Sequence, residues 1–133
     1  MSHLILVVDD EPAIRQAVQL VLEDENFTVA TAPNGAAALA LLDTICPDAI
    51  LLDLCMPIMD GYEFLAAYRD RPDGNAVVIV CSTYASRSRL RELDADGFIG
   101  KPFDINELIE LLQTLLQQPG RRPASAAARA AAD

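Results

Sequence analysis

Leu4-Ile5-Leu6-Val7-Val8-Asp9-Asp10-Glu11-Pro12 decides the fold of this chain. Its five apolar residues run without alternation, the pattern of a strand buried on both faces. Such a strand belongs in a parallel sheet covered by helices on each side. Three acids and a proline follow at once, and an acidic N-cap with proline in the first turn starts a helix. Ile14, Ala17, Val18, Val21 and Leu22 then keep helical spacing to about Asp24. The opening unit therefore reads strand, acidic turn, helix.

The unit repeats along the chain. Phe27 to Thr31 predicts a second strand, Pro33-Asn34-Gly35 a turn, and Ala36 to about Thr44 a helix. Ala49 to Leu52 is a third buried strand ending on Asp53, followed by a loop to Asp60 and a helix from Gly61 to Arg69. Pro72-Asp73-Gly74-Asn75 is a turn, and Ala76 to Cys81 a fourth strand ending on Ser82. The polar stretch Ser86 to Asp94 supports only a weak, short helix, and Gly97 to Gly100 a short fifth strand ending on Lys101-Pro102. The last helix opens at Asp104, where Glu107 predicts a capping box, and runs to about Gln118. Its stripe of Ile105, Leu108, Ile109, Leu111, Leu112, Leu115 and Leu116 must be largely core, with Leu111 at the margin toward solvent. Five such alternations predict an α/β fold on a parallel sheet. Residues 1–118 form one domain; Pro119 to Asp133, rich in Ala, Pro and Arg, is expected to be a disordered tail.

The 133 residues suit a single domain with one sizeable core. Twenty acids against ten bases give a formal charge of -10, which argues against a nucleic-acid backbone as main partner. The balance is uneven: residues 1–118 hold 19 acids and 7 bases, while the tail holds three arginines and one acid. No apolar run exceeds the seven residues Ala36 to Leu42, so no membrane span is expected. Met1-Ser2-His3 is too short for a signal peptide. Cys46, Cys55 and Cys81 are odd in number and lack C-x-x-C spacing, which fits a reducing cytoplasm rather than a zinc site or disulfide scaffold. Cys81, closing an apolar run, reads as a small buried hydrophobe.

Four polar positions recur at one structural place. Asp9/Asp10, Asp53, Ser82 and Lys101 each follow an apolar strand, and the carboxyl ends of parallel strands share one edge, where ligands bind. Singly, each has a plainer reading: a helix cap, a loop acid, a turn residue, a surface charge. Together they bring three carboxylates, a hydroxyl and an ammonium to one edge. Crowded carboxylates repel one another, and a hard divalent cation such as Mg²⁺ relieves the repulsion. A carboxylate beside a metal and an ammonium can attack phosphorus to give an acyl phosphate, the two cations neutralising the phosphoryl oxygens.

These residues carry a family resemblance. Asp53-Leu54-Cys55-Met56-Pro57-Ile58-Met59-Asp60-Gly61 resembles the acceptor loop of bacterial response-regulator receiver domains. Val7-Val8-Asp9-Asp10-Glu11-Pro12 is similar to their acidic motif, Val80-Cys81-Ser82-Thr83-Tyr84-Ala85 to their hydroxyl motif, and Lys101-Pro102-Phe103 to their lysine motif. The likeness spans about residues 4–118. It implies a CheY-like, flavodoxin-like, doubly wound sheet of five parallel strands in the order 2-1-3-4-5. It implies that Asp53 accepts a phosphoryl group from a sensor histidine kinase or histidine phosphotransfer protein. Mg²⁺ would be organised by Asp10 directly, by Asp9 largely through water, by Asp53, and by the carbonyl of Cys55. Ser82 and Lys101 would contact the phosphoryl group, with a cis bond between Lys101 and Pro102. Phe98 would turn inward as Ser82 shifts, altering the face formed by the last helix, the fifth strand and the helix before that strand. The picture is a stand-alone, cytoplasmic signalling module rather than a turnover enzyme. It would act through a downstream protein, without direct DNA binding or membrane insertion, as a monomer or weak dimer.

The chain also departs from the pattern. Only 18 residues separate Ser82 from Lys101, fewer than the family usually has, so the helix between them should be short and the output face altered. Thr83 is branched where the family is commonly smaller and would restrict the swing of Phe98, which itself lacks the hydroxyl of the common Tyr. Cys55 and Tyr84 lie at positions that tune hydrolysis of the phosphoryl group, and bulky Tyr84 would hinder attacking water. Nearby carboxylates argue against a reactive Cys55 thiol. Three rivals remain. A phosphohydrolase using an aspartyl nucleophile would want D-x-D, but Cys55 stands there. A nucleotide or flavin protein would want a Gly-rich or Ser/Thr-rich first loop. A phosphorylation-independent binding module would keep the fold without the chemistry.

Overall fold

The computed structural model describes residues 3–82 and 93–118. Five strands, β1 (Leu4–Val8), β2 (Thr28–Ala32), β3 (Ala49–Asp53), β4 (Val77–Ser82) and β5 (Gly97–Gly100), form one all-parallel sheet in the order β2-β1-β3-β4-β5. Four helices are described: α1 (Pro12–Asp24), α2 (Gly35–Leu41), α3 (Gly61–Arg69) and α4 (Ile105–Gln117). The expected strand order and fold class are those observed. The expected helix between β4 and β5 falls mainly on residues 83–92, outside the described residues, as do Thr83, Tyr84 and the tail. Asp94, expected in that helix, is not helical: its carbonyl accepts from Arg69 Nε at 2.9 Å.

The strands are buried on both faces because they divide their side chains between two cores. Ile5, Val7, Leu51 and Ile79 point into a cluster with Val18 and Leu22 of α1 and Leu108 and Leu112 of α4. Leu6, Val8, Ile50, Leu52 and Val78 point the other way, onto Ala38 of α2 and Phe64, Leu65 and Tyr68 of α3. Alternation along a strand sends neighbours to opposite faces, so a continuous apolar run serves both cores at once. Each fully buried Leu or Ile stabilises the fold by roughly 1.5–3 kcal/mol. Leu111, expected at the solvent margin, is half-buried and packs with Leu115 over Gly97.

Local chemistry sets the ends. Asn34 caps α2 by accepting from Ala37 N at 2.8 Å, which starts that helix a residue earlier than expected. β2 and β4 begin and end one residue later than read, placing Ser82 within the sheet. The capping box expected at Asp104 is not the one formed. Asp104 accepts instead from Asn106 N at 2.8 Å, while Asp60 and Glu63 close a box at the start of α3. At the opposite edge from the site, Arg69 ties α3 to the chain around it. Its guanidinium donates to the Asp94, Gly74 and Ala76 carbonyls and to the Asp96 carboxylate at 2.8–3.2 Å. Asp96 in turn accepts from Val78 N, fixing the entry to β5 beside β4.

The strands' carboxyl ends share an edge, with Val8 beside Leu52, Asp53 beside Cys81 and Ser82 beside Gly100. Gly61 closes the loop after β3 onto that edge. A methyl there would stand 2.3 Å from the Asp53 carbonyl oxygen and 2.7 Å from Leu54 Cα, both backbone atoms. Gly61→Ala should therefore lower the unfolding free energy by about 1–3 kcal/mol in urea titration. Gly100→Ala, with open space around the new methyl, should stay within about 0.5 kcal/mol of the parent. Equal midpoints for the two variants would contradict this account of the loop.

Candidate functional site

Asp9 follows the last residue of β1, and its backbone N–H still donates to the Ala32 carbonyl at 3.1 Å. That bond extends the sheet by one residue and holds the side chain at its edge. Asp9 Oδ1 accepts from Glu11 N at 2.9 Å, and the Asp9 carbonyl accepts from Arg15 Nη1 at 2.6 Å. Glu11 is the N-cap residue of α1 but makes no capping bond through its own side chain, so Asp9 binds the helix start to the strand end. Asp9 is 4% exposed and Asp53 6% exposed, while Asp10 faces solvent.

Oxygens of Asp9, Asp10 and Asp53 lie within 4.8 Å of one another. Among the described residues this is the single cluster of three or more metal-ligating side chains. Lys101, carried to the same edge by β5, sets its ammonium 2.6 Å from Asp9 Oδ2 and 3.6 Å from Asp53 Oδ2. The Lys101–Pro102 bond is cis. Lys101 N donates to the Ser82 carbonyl at 2.9 Å, so the ends of β4 and β5 are locked together where Ser82 lies buried.

Burial raises the Asp53 pKa to about 6. Lys101 opposes that rise, and the charges of Asp9 and Asp10 add to it. Burial pulls Lys101 the other way from its partners: the hydrogen bond it donates to Asp9 and the charges of Asp9, Asp53 and Glu11 outweigh burial and hold the ammonium above its ordinary value. The site thus has more negative charge than one lysine balances, which suits a hard divalent cation with oxygen ligands. Just inside it, burial pushes the Cys81 thiol up to about 12, and Cys81 is inert core as expected.

The loop after β3 is less regular. Cys55 is exposed, and its N–H approaches Asp53 Oδ1 at 3.4 Å. Ile58 takes a left-handed backbone (φ 72°) with its side chain 81% exposed, an unusual conformation for a branched residue. The turn lets the Met59 carbonyl accept from Gly35 N at 3.1 Å, binding this loop to the start of α2. Phe98 projects from β5 and is 42% exposed, not packed inward.

The structure therefore brings Asp9, Asp10, Asp53, Ser82 and Lys101 to one edge and sets Cys55 at its rim. Thr83 and Tyr84 lie outside the described residues. Sequence reasoning missed Arg15, which clamps the Asp9 carbonyl. The signal available was its place in the first turn of the helix that the acids begin. It also missed that Asp9, rather than Asp53, holds the lysine most closely.

The geometry agrees with what comparison finds. The family model described as "Response regulator receiver domain" matches residues 5–113. The probable transcriptional regulatory protein TcrX of Mycobacterium tuberculosis is 34% identical over 118 residues, 87% of this chain, and the chain spans about half of that regulator's length. Among solved structures, chemotaxis protein CheY4 of Vibrio cholerae, crystallised at low pH, is 33% identical with a TM-score of 0.81, covering 86% of this chain and 98% of its own. Response regulator TrrA of Thermotoga maritima, solved in complex with Mg²⁺-BeF, is 35% identical with a TM-score of 0.77 over 86% of this chain and 98% of its own. No helix among the described residues is long and apolar enough to cross a membrane. A match over most of the folded region, at an edge built as the sequence motifs require, places the chain in the response-regulator receiver family of two-component systems.

Proposed function

We propose that this receiver domain is a phosphoacceptor, with Asp53 taking a phosphoryl group from a phosphohistidine on a sensor kinase or phosphotransfer protein. The observation that carries the reading is the pairing of one buried carboxylate with two more carboxylates and a buried ammonium at a single sheet edge. An Asp53 oxygen attacks phosphorus; the bond from phosphorus to the partner's imidazole nitrogen breaks, and the electron pair stays on the imidazole. The product is an acyl phosphate. The reacting form is the carboxylate, present above about pH 6.

Asp9, Asp10 and Asp53, with the Cys55 carbonyl, are the groups that would hold Mg²⁺. Bound there, the ion supplies positive charge against the phosphoryl oxygens. Lys101, already desolvated and aimed between Asp9 and Asp53, adds a fixed charge that needs no reorganisation. Ser82, buried at the end of β4, would contact the phosphoryl group through its hydroxyl. Phe98, partly exposed, is the residue whose inward turn would report phosphorylation to the face around β5. Tyr84, Cys55 and Thr83 would tune lifetime and switching. Residues 1–118 would act as the module, in the cytoplasm, on a downstream protein and without catalytic turnover of an external substrate.

Incubation with a small phosphodonor and Mg²⁺ should add one phosphoryl group to the intact mass. Asp53→Asn should gain none, and Asp10→Asn should lose most of the gain. No gain in the parent chain would favour the phosphorylation-independent module.

A second prediction follows from the burial of the Asp53 carboxylate. Asp53 titrates near 6 in the fold and near 3.8 unfolded, so between those values the folded state binds more protons. Stability therefore falls as pH rises through that window, and the full penalty is present above it. At pH 7.5 without divalent cations, Asp53→Asn should be more stable than the parent by about 1–2 kcal/mol, allowing for solvent screening at the site's mouth. The gap should shrink at pH 5. Adding Mg²⁺ should raise the thermal midpoint of the parent more than that of the variant. A parent as stable as the variant at pH 7.5 would contradict the cost of burying this carboxylate.

A further inference from the structure

A groove of about 480 Å³ runs between α1 and the segment that leads into α4. Ile14, Ala17 and Val21 line one wall, Phe103 and Ile105 the other, and Glu11 stands with Lys101 at the end nearest the site. Both helices run antiparallel to the strands, so Asp24 and Gln118 lie at the opposite edge. There Glu23, Asp24 and Glu25 are exposed, and none of them, nor Glu11, joins a salt bridge among the described residues. The outer face of α4 adds exposed Glu107 and Glu110. The groove is thus apolar along its length, with exposed acids flanking its far end and, at the end nearest the site, Glu11 beside a Lys101 already engaged by Asp9 and Asp53. The one base on α1, Arg15, is engaged by the Asp9 carbonyl.

The fifteen residues that follow Gln118 carry the complementary pattern. Arg121 and Arg122 come first, Arg129 comes later, and between them stand only Pro, Ala and Ser. We propose that residues 119–133 dock back along the α1–α4 groove of their own chain. Arg121 and Arg122 would meet the acids at the end of α1, and Arg129 those at its start, with the small residues lying on the apolar wall. The span is sufficient: thirteen residues of α1 cover roughly 20 Å, and fifteen residues can extend to roughly 50 Å. Leaving at Gln118, the segment starts beside the acids it is to meet. A second copy is the poorer occupant, because each copy carries -10. Tethering supplies an effective concentration on the order of millimolar, so modest ion pairs suffice for a populated docked state.

The test compares amide spectra of the full chain and its R121E/R122E/R129E variant, without Mg²⁺. Docking predicts shift differences at Ala17, Val21, Phe103 and Ile105, far in sequence from the changes. At roughly 0.5 M salt, where the screening length is about 4 Å, the parent spectrum should move toward the variant's at those positions. E11Q/E23Q/D24N, which alters the groove ends and leaves the arginines, should release the same segment and shift the amides of residues 119–133. Differences confined to residues near the substitutions would overturn the proposal. Groove shifts that grow with protein concentration would also overturn it, since they would put the segment of a second copy in the groove.

Discussion

The ion pair between Lys101 and Asp9, 2.6 Å apart and almost wholly desolvated, is the constraint on which this edge of the molecule depends. Breaking a buried pair leaves an uncompensated charge, which is among the most costly single changes a fold can suffer. The pair joins the start of the chain to its end, because Asp9 extends β1 while Lys101 closes β5. The strands β3 and β4 lie between them in the sheet, so pairing also fixes where Asp53 and Ser82 must stand. Burial is what chiefly raises the Asp53 pKa, with the charges of Asp9 and Asp10 adding to it against Lys101; one lysine cannot balance three carboxylates, and the remaining negative charge asks for a cation.

The rest of the fold supplies the rigidity this needs. The two cores clamp the sheet from both faces, and the site sits above their shared strands. The Asp60–Glu63 box, the Gly35–Met59 bond and the tight approach of Gly61 to the Asp53 carbonyl hold the acceptor loop down. Arg69 does comparable work at the other edge, tying α3 to the entries of β4 and β5. Charge imbalance is therefore concentrated at one edge and mechanical closure is spread over both.

Much of this was legible in the residues. The continuous run Leu4 to Val8 could only be a two-faced strand, and the same logic placed Ala49 to Leu52 and Ala76 to Cys81. The polar residue following each strand marked the site, because parallel strands present their carboxyl ends together. Boundaries were legible only to within one to three residues, the widest gap being the end of α2 at Leu41 rather than about Thr44. Asn34 began α2 early through its side chain, a choice that periodicity does not record. The capping box at Asp104 failed for a similar reason: Asp104 and Asp60 have the same spacing to a glutamate, and only the local backbone decides which box closes. The clamps by Arg15 and Arg69 were hard to read because most of their partners are backbone carbonyls, which carry no residue-type signal.

The central claim is that Asp53 is a nucleophile toward phosphorus rather than a structural acid. Its most direct test is the chemistry of the modified residue. After treatment with a phosphodonor and Mg²⁺, peptide mapping should find a phosphoryl group on Asp53 that hydroxylamine removes, as expected of an acyl phosphate. A hydroxylamine-stable phosphoryl group on a serine or threonine, or none anywhere, would contradict the account.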